Sequence, residues 1–148
     1  MLTGLSPQTL AKAEGPAFWF LNNLCVVKAT TESTGGAFSM VHQIAPPGAA
    51  TPYHLHHVED EAFYVLDGEY TFICDGVKTV VGPGGYMFLP RGVPHGIRAS
   101  GSTPATMLIL ATPWNRVRRD DGRDGRAGTG EGLAKTDQAG SGETQSPL

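Results

Sequence analysis

The segment from Ala17 to Pro113 is divided by turn residues into short β-prone runs, roughly eight to twelve positions apart. Asp67-Gly68 and Asp75-Gly76 each join two such runs, and this dipeptide is a strong signal for a tight β-hairpin. No helical period of useful length occurs in the segment. The pattern predicts an all-β protein, built as an antiparallel sandwich or barrel.

The chain has 148 residues, including 20 glycines and 11 prolines, which suits one domain with many turns. Residues 1–16 are predicted to form an N-terminal arm, in which PQTLAKAEG is a candidate for one short helix. Residues 17–114 are predicted to form the barrel. Residues 115–148 are rich in Gly, Arg, Asp and small polar side chains, and with few apolar groups to bury they predict a disordered tail.

The charge pattern argues against several classes of partner. The formal net charge is −3, and the arginines of the tail are interleaved with aspartates, so nucleic acid is not an expected partner. No secretory leader or membrane-spanning segment is recognisable. Cys25 and Cys74 are far apart and form no CxxC motif, which favours free thiols in a reducing, cytoplasmic location.

The stretch TPYHLHHVEDEAF concentrates side chains that bind metals. On an extended strand, His54 and His56 point to the same face. Glu61 returns to that face if the chain turns or bulges between His57 and Asp60. These three side chains can then converge inside the barrel, while its rim carries His57, Glu59 and Asp60.

Two imidazoles and a carboxylate are ligands for divalent first-row metals. His95, which follows a Pro-x-Gly turn, is a candidate for the fourth ligand. The ligand types accept Fe, Mn, Ni, Co, Cu or Zn and do not specify which single ion is bound. Glu61 combines a metal-binding oxygen with the ability to act as a catalytic base.

The spacing of these residues resembles the two signature motifs of the cupin family. The run from Gly48 to Gly68 fits G(x)5HxH(x)4E(x)6G, and the run from Gly84 to His95 fits G(x)5PxG(x)2H. The resemblance implies a small antiparallel jelly-roll barrel with His54, His56, Glu61 and His95 as metal ligands. Ala99 and Gly85 depart from the second motif, at positions that are not ligands in the family.

The chain is also similar to the small single-domain cupins related to quercetin 2,3-dioxygenase, over AFWFLNNLCVVKAT, TGGAFSMVHQIAPPG and HHVEDEAFYVLDGEYTF. This resemblance implies a three-histidine, one-glutamate metal site and a flavonol-like substrate that reacts with dioxygen through a deprotonated hydroxyl. Glu61 would then be both a ligand and the base for that hydroxyl. The resemblance also implies a homodimer, and the apolar FWFLNNLCVV strand is a candidate to cover or extend a barrel edge.

The few basic residues of the body disfavour phosphorylated substrates and favour a planar, weakly charged organic molecule. Candidate pocket residues are apolar, aromatic or titratable: Phe18, Phe20, Met40, His42, Tyr53, Phe63, Tyr86, Phe88, Met107 and Ile109.

Two alternatives to a dioxygenase of phenolic or enol substrates remain open. One is a redox-neutral, zinc-dependent cyclase or isomerase of polyketide-like aromatics, with Glu61 or His42 moving protons. The other is a non-catalytic barrel that binds a small molecule, because a fold alone does not determine a function.

Overall fold

The computed structural model describes residues 4–113, apart from the side chain of Pro113. All secondary structure in this part of the chain is β, and every strand pair is antiparallel. This confirms the predicted all-β jelly roll, whereas the predicted tail, residues 115–148, lies outside the described residues. The strands are β1 (Ala17–Phe20), β2 (Asn23–Ala29), β3 (Ser39–Ala45), β4 (Glu59–Asp67), β5 (Tyr70–Cys74), β6 (Val77–Val81), β7 (Tyr86–Leu89), β8 (His95–Ala99) and β9 (Ala105–Pro113).

The strands form two sheets that enclose one apolar core. The larger sheet has the order β1-β2-β3-β9-β4-β7, and the smaller has the order β6-β5-β8. Side chains alternate between the two faces of a strand, so one set from each sheet points inward. The largest fully buried apolar side chains come from both sheets and include Phe63, Tyr70, Phe72, Leu89 and Met107.

The two Asp-Gly pairs have different structural roles. Asp75-Gly76 forms the predicted hairpin, with both φ angles positive, at 48° and 78°, and with Cys74 opposite Val77. Asp67-Gly68 does not form a hairpin, because β4 and β5 belong to different sheets and the chain crosses between them here. Gly68 has a φ of 73°, and a Cβ atom at this position would lie 2.7 Å from the Cα of Ala105.

The apolar run FWFLNNLCVV forms two strands rather than one. β1 and β2 pair through a two-residue turn, in which Leu21 and Asn22 have φ angles of 47° and 66°. Positive φ angles at both central residues match the twist of a hairpin, and Asn tolerates them well. β1 is consequently an edge strand of the larger sheet.

The short N-terminal helix is a wrong prediction. Residues 4–16 contain no helix, and the described residues hold no helix long and apolar enough to cross a membrane. A segment this short has little helical stability of its own. Its carbonyls instead accept hydrogen bonds from Lys28, whose Nζ lies 2.8, 2.9 and 2.7 Å from the oxygens of Ala11, Lys12 and Glu14.

Candidate metal centre

Three imidazoles meet at one end of the barrel. Their candidate ligand atoms, from His54, His56 and His95, all lie within 4.8 Å of one another. His54 and His95 form an isolated antiparallel bridge, in which each backbone N–H donates to the other residue's carbonyl, at 2.9 and 2.7 Å. The bridge joins the loop before β4 to the first residue of β8. Two motifs that are distant in the sequence therefore meet at one point.

The hydrogen bonds of two imidazoles leave a ring nitrogen free for a metal. His54 Nδ1 lies 2.7 Å from the carbonyl oxygen of Pro52, and His95 Nδ1 lies 3.0 Å from that of Val93. A carbonyl accepts, so in each ring Nδ1 carries the proton and Nε2 presents a lone pair. His95 Nε2 is buried, and no group among the described residues donates a hydrogen bond to it. These residues fit a divalent metal ion.

Glu61 adds a buried negative charge beside two of the imidazoles. Its Oε2 lies 3.3 Å from His56 Nε2 and 3.4 Å from His95 Nε2, while the compact group of three ligand atoms does not include the carboxylate. Burial acts to raise the pKa of Glu61, but His56 and His95 outweigh it and lower the pKa to about 2. Burial and the neighbouring imidazoles lower the pKa of His54. At neutral pH, Glu61 is therefore ionised and His54 is neutral.

An ion pair outside the cluster fixes the loop that leads to His95. Arg91 donates to Asp60 through its backbone N–H, its Nε and its Nη2, at 2.9, 3.0 and 2.6 Å. The next residue, Gly92, donates its N–H to the carbonyl of His56 at 2.7 Å, and its φ of 75° favours glycine. The Asp60–Arg91 pair thus joins β4 to the turn that precedes β8.

The residues predicted for the rim have different positions. His57 is exposed at a bend, as expected, but Glu59 and Asp60 already belong to β4. Glu59 lies two residues before Glu61 and therefore shares its face of the strand. Its Oε2 is buried without a hydrogen-bond partner among the described residues, and burial raises its pKa. A second carboxyl group, predicted for the rim, is therefore close to the site.

An apolar pocket with an open mouth extends from the cluster into the barrel. Four of its lining residues were not predicted from the sequence, because their positions follow from strand register. Five of the ten predicted pocket residues line it: Phe18, Phe20, Phe63, Met107 and Ile109. The lining also includes Val41, Ile97, Cys25 and Gln43, together with His54, His56 and Glu61. Both cysteines are free thiols.

The other five predicted residues lie outside the pocket. Val41 and Gln43 face inward on β3, so the alternating positions Met40 and His42 face the other way. By the same alternation, Leu89 is buried on β7 while Tyr86 and Phe88 are exposed. Tyr53 is exposed too, and its hydroxyl accepts a hydrogen bond from the Gly76 N–H at 3.3 Å.

The barrel and its histidine cluster define a jelly-roll protein with a candidate metal site. Comparison with known families matches residues 41–111 to the cupin domain, a segment that contains all three clustered histidines. Residues 41–111 therefore form a cupin domain.

Known proteins resemble the chain to different degrees. It is 34% identical to quercetin 2,3-dioxygenase of Bacillus subtilis over 92 residues, which is 62% of this chain but only 27% of that enzyme. The polyketide cyclase RemF of Streptomyces resistomycificus has 25% identity and a TM-score of 0.64, over 74% of this chain and 80% of RemF. A predicted oxalate decarboxylase of Thermotoga maritima shares the fold, with 22% identity and a TM-score of 0.66, over 72% of this chain and 99% of that one.

Proposed function

We propose that the protein is a mononuclear metal-dependent dioxygenase of a flavonol-like, or other phenolic or enolic, aromatic substrate. The observation that carries this proposal is a polar cluster at the end of an apolar pocket. The cluster combines three imidazoles with a buried, ionised carboxylate. His54, His56, His95 and Glu61 would hold one divalent ion. Such an ion would lower the pKa of a substrate hydroxyl and supply the redox chemistry.

The protein's own groups would bind the substrate and handle its proton. Glu61 is ionised at neutral pH, so its carboxylate can accept the hydroxyl proton of a substrate seated at the cluster. Phe18, Phe20 and Phe63 line the pocket and can hold a planar ring while excluding water. The lining includes no Lys or Arg, which argues against a phosphorylated substrate. The similarity to quercetin 2,3-dioxygenase supports the same substrate class.

A redox-neutral cyclase or isomerase of polyketide-like aromatics is the second candidate. The similarity to the polyketide cyclase RemF over most of both chains favours it. The same four residues holding zinc would polarise a carbonyl group, and Glu61 would move protons. Unlike the first candidate, this reaction would proceed without oxygen. A non-catalytic barrel that only binds the aromatic molecule is the third.

Metal content and oxygen uptake distinguish these functions. The wild-type protein and His56→Ala would be analysed for bound metal, with His57→Ala as the matched control at an exposed neighbour. Each protein, loaded with Fe(II), Mn(II), Co(II) or Ni(II), would then be mixed with a flavonol in an oxygen electrode. We expect one ion per wild-type and His57→Ala chain, with oxygen uptake, and loss of both in His56→Ala.

The other outcomes contradict the dioxygenase proposal in different ways. Stoichiometric zinc without oxygen uptake would favour the cyclase or isomerase. Bound metal and bound flavonol without any turnover, with or without oxygen, would favour the binding protein. Absence of metal from all three proteins would refute the metal centre itself.

We also infer that the chain forms a homodimer through the β1 edge of the larger sheet. Trp19 on this edge strand is 72% exposed and Leu21 in the adjoining turn is 43% exposed, so this edge carries two large exposed apolar side chains. Light scattering after size exclusion should give twice the chain mass for the wild type and the single mass for Trp19→Lys. A monomeric wild type would overturn this inference.

A further inference from the structure

The pocket has a second polar end, remote from the histidine cluster. Cys25 on β2 and Gln43 on β3 are register partners, and both side chains are buried and line the pocket. Burial raises the pKa of the Cys25 thiol, and the neighbouring Gln43 side chain opposes part of that rise. The rest of the pocket between this pair and the imidazoles is apolar, with Val41 and Ile109 among its lining residues.

Strand register gives the distance between the two ends. Glu61 on β4 lies opposite Ala111 on β9, and Ala111 lies opposite Ser39 on β3. Gln43 is four residues beyond Ser39 on the same strand, a separation of about 14 Å along the strand direction. The side chains shorten the gap, but a molecule of two or three carbons could not touch both ends. An aromatic molecule of two or three rings could.

The Gln43 amide has hydrogen-bonding capacity to spare. It carries two N–H donors and a carbonyl acceptor, whereas its register partner Cys25 offers only a thiol, which is a weak donor and a weak acceptor. Buried polar groups normally have hydrogen-bond partners, and a site built to bond a ligand oxygen discriminates strongly against analogues that lack this oxygen. The amide is therefore suited to recognise a polar substituent in an otherwise apolar pocket.

A nearby hydroxyl shows the same unused capacity. Tyr70 is 1% exposed, and its hydroxyl has no hydrogen-bond partner among the described residues. Burial raises its pKa first, and the Cys25 thiol, close enough to interact, raises it further. Tyr70 is therefore an electrostatic neighbour of Cys25, although it does not line the pocket.

We infer that Gln43 is a specificity-determining residue. Its amide, which lies beside Cys25, bonds a hydroxyl or carbonyl oxygen on the part of an elongated aromatic ligand that is farthest from the metal. This inference rests on the proposed function, because it assumes that the ligand's other end binds at the histidine cluster. It adds a requirement of its own, namely a second oxygen substituent remote from the first.

Three flavonols test this requirement. 3-Hydroxyflavone has no remote hydroxyl, whereas 3,7-dihydroxyflavone and 3,4′-dihydroxyflavone each carry one, on opposite sides of the molecule. Each would be titrated anaerobically into the zinc-loaded full chain, and the dissociation constant read from the flavonol absorption band. Gln43→Leu removes the amide, and Ile44→Leu is the control at the next residue on the opposite face.

We expect the wild type and Ile44→Leu to bind at least one dihydroxy compound roughly tenfold more tightly than 3-hydroxyflavone, the effect of one hydrogen bond. Gln43→Leu should bind all three with the affinity that the wild type has for 3-hydroxyflavone. If Gln43→Leu does not fold, Gln43→Met, which retains the unbranched shape, serves in the same comparison.

The failure of this inference and that of the proposed function give different results. Equal binding of all three flavonols by the wild type would overturn the role of Gln43 while supporting flavonol binding at the metal. A preference that survives in Gln43→Leu would overturn it as well. Absence of binding of every flavonol by the metal-loaded wild type would overturn the proposed function, and with it this inference.

Discussion

The two faces of the six-stranded sheet are similar in composition and different in role. On the inner face, Phe63, Met107 and Ile109 are buried and line the pocket. On the outer face, Tyr86 and Phe88 come from the same kinds of short apolar strand and are about half exposed or more. Residue type alone does not separate the two groups. The phase of the alternation along each strand decides which side chain can reach a ligand.

Buried titratable side chains also differ between the two faces. Glu61 is on the inner face, and its charge is held by two imidazoles. His42 is on the outer face, as buried as Glu61, but its electrostatic neighbours are Lys28 and Lys12 rather than the cluster. Burial therefore does not by itself place a titratable residue in the site.

The largest expected difference between the faces is in stability. Phe63→Ala would leave a cavity in the core and should lower the free energy of unfolding by about 3–5 kcal/mol. Phe88→Ala, on the neighbouring strand, removes a ring that is 48% exposed and should cost about 1 kcal/mol or less. Urea unfolding of the metal-free proteins measures both. Equal losses of unfolding free energy in the two variants, measured at low protein concentration, would contradict this prediction. They would show that the Phe88 ring is packed in the fold as tightly as that of Phe63.

Much of the site could be predicted because its chemistry is concentrated in two short motifs. His54 and His56 share a strand face by their spacing, and the Pro-x-Gly turn places His95 at the start of a strand. The bridge between His54 and His95 then needs only these local conformations and the closure of the barrel. On β4, the position of Glu61 also shows which alternate side chains point inward, so Phe63 could be assigned to the inner face.

The remaining pocket residues depend on pairings that the local sequence does not contain. No metal ligand shows which alternate residues of β3 or β7 point inward. Residue type alone indicates Met40, His42, Tyr86 and Phe88, and none of these four lines the pocket. Gln43 was missed for the same reason. Asp67-Gly68 shows the corresponding limit for the fold, because whether such a turn makes a hairpin or a crossing is decided by distant strands.

The second prediction tests whether an ion pair on the outer face affects metal binding on the inner face. By alternation, Asp60 lies on the side of β4 opposite to Glu61, yet its ion pair with Arg91 fixes the loop before His95. Asp60→Asn should weaken metal binding by roughly 10- to 100-fold, as is typical when a group that orients a metal ligand is lost. Competition with a chelator measures the affinity. Glu69→Gln, which removes a carboxylate bonded to Ser100 on the smaller sheet's side, is the control and should leave it unchanged.

The affinity of Asp60→Asn decides between two views of the site. A loss confined to this variant means that an outer-face ion pair sets the ligand geometry. An unchanged affinity, with a normal unfolding transition, means that the backbone bridge of His54 and His95 is sufficient, and the two faces are then functionally independent.

The smallest expected effect is the contribution of His42, on the outer face, to the pH dependence of stability. Burial lowers the pKa of His42 below its ordinary value of 6.5, and the charges of Lys28 and Lys12 lower it further. The unfolded chain therefore takes up this proton at a higher pH than the folded one. Stability from this source is fully present above pH 6.5 and is lost as the pH falls below it. His42→Gln should remove that loss while leaving metal binding unchanged.

The free energy of unfolding in urea would be measured for the metal-free wild type and His42→Gln between about pH 7.5 and about pH 5. The site histidines titrate in both proteins, so the difference between the two curves isolates His42. We expect the free energy of unfolding of the variant, relative to that of the wild type, to rise steadily as the pH falls. Parallel curves would mean that His42 keeps its ordinary pKa in the fold. A change in metal affinity would mean that the outer face communicates with the cluster through β3 as well.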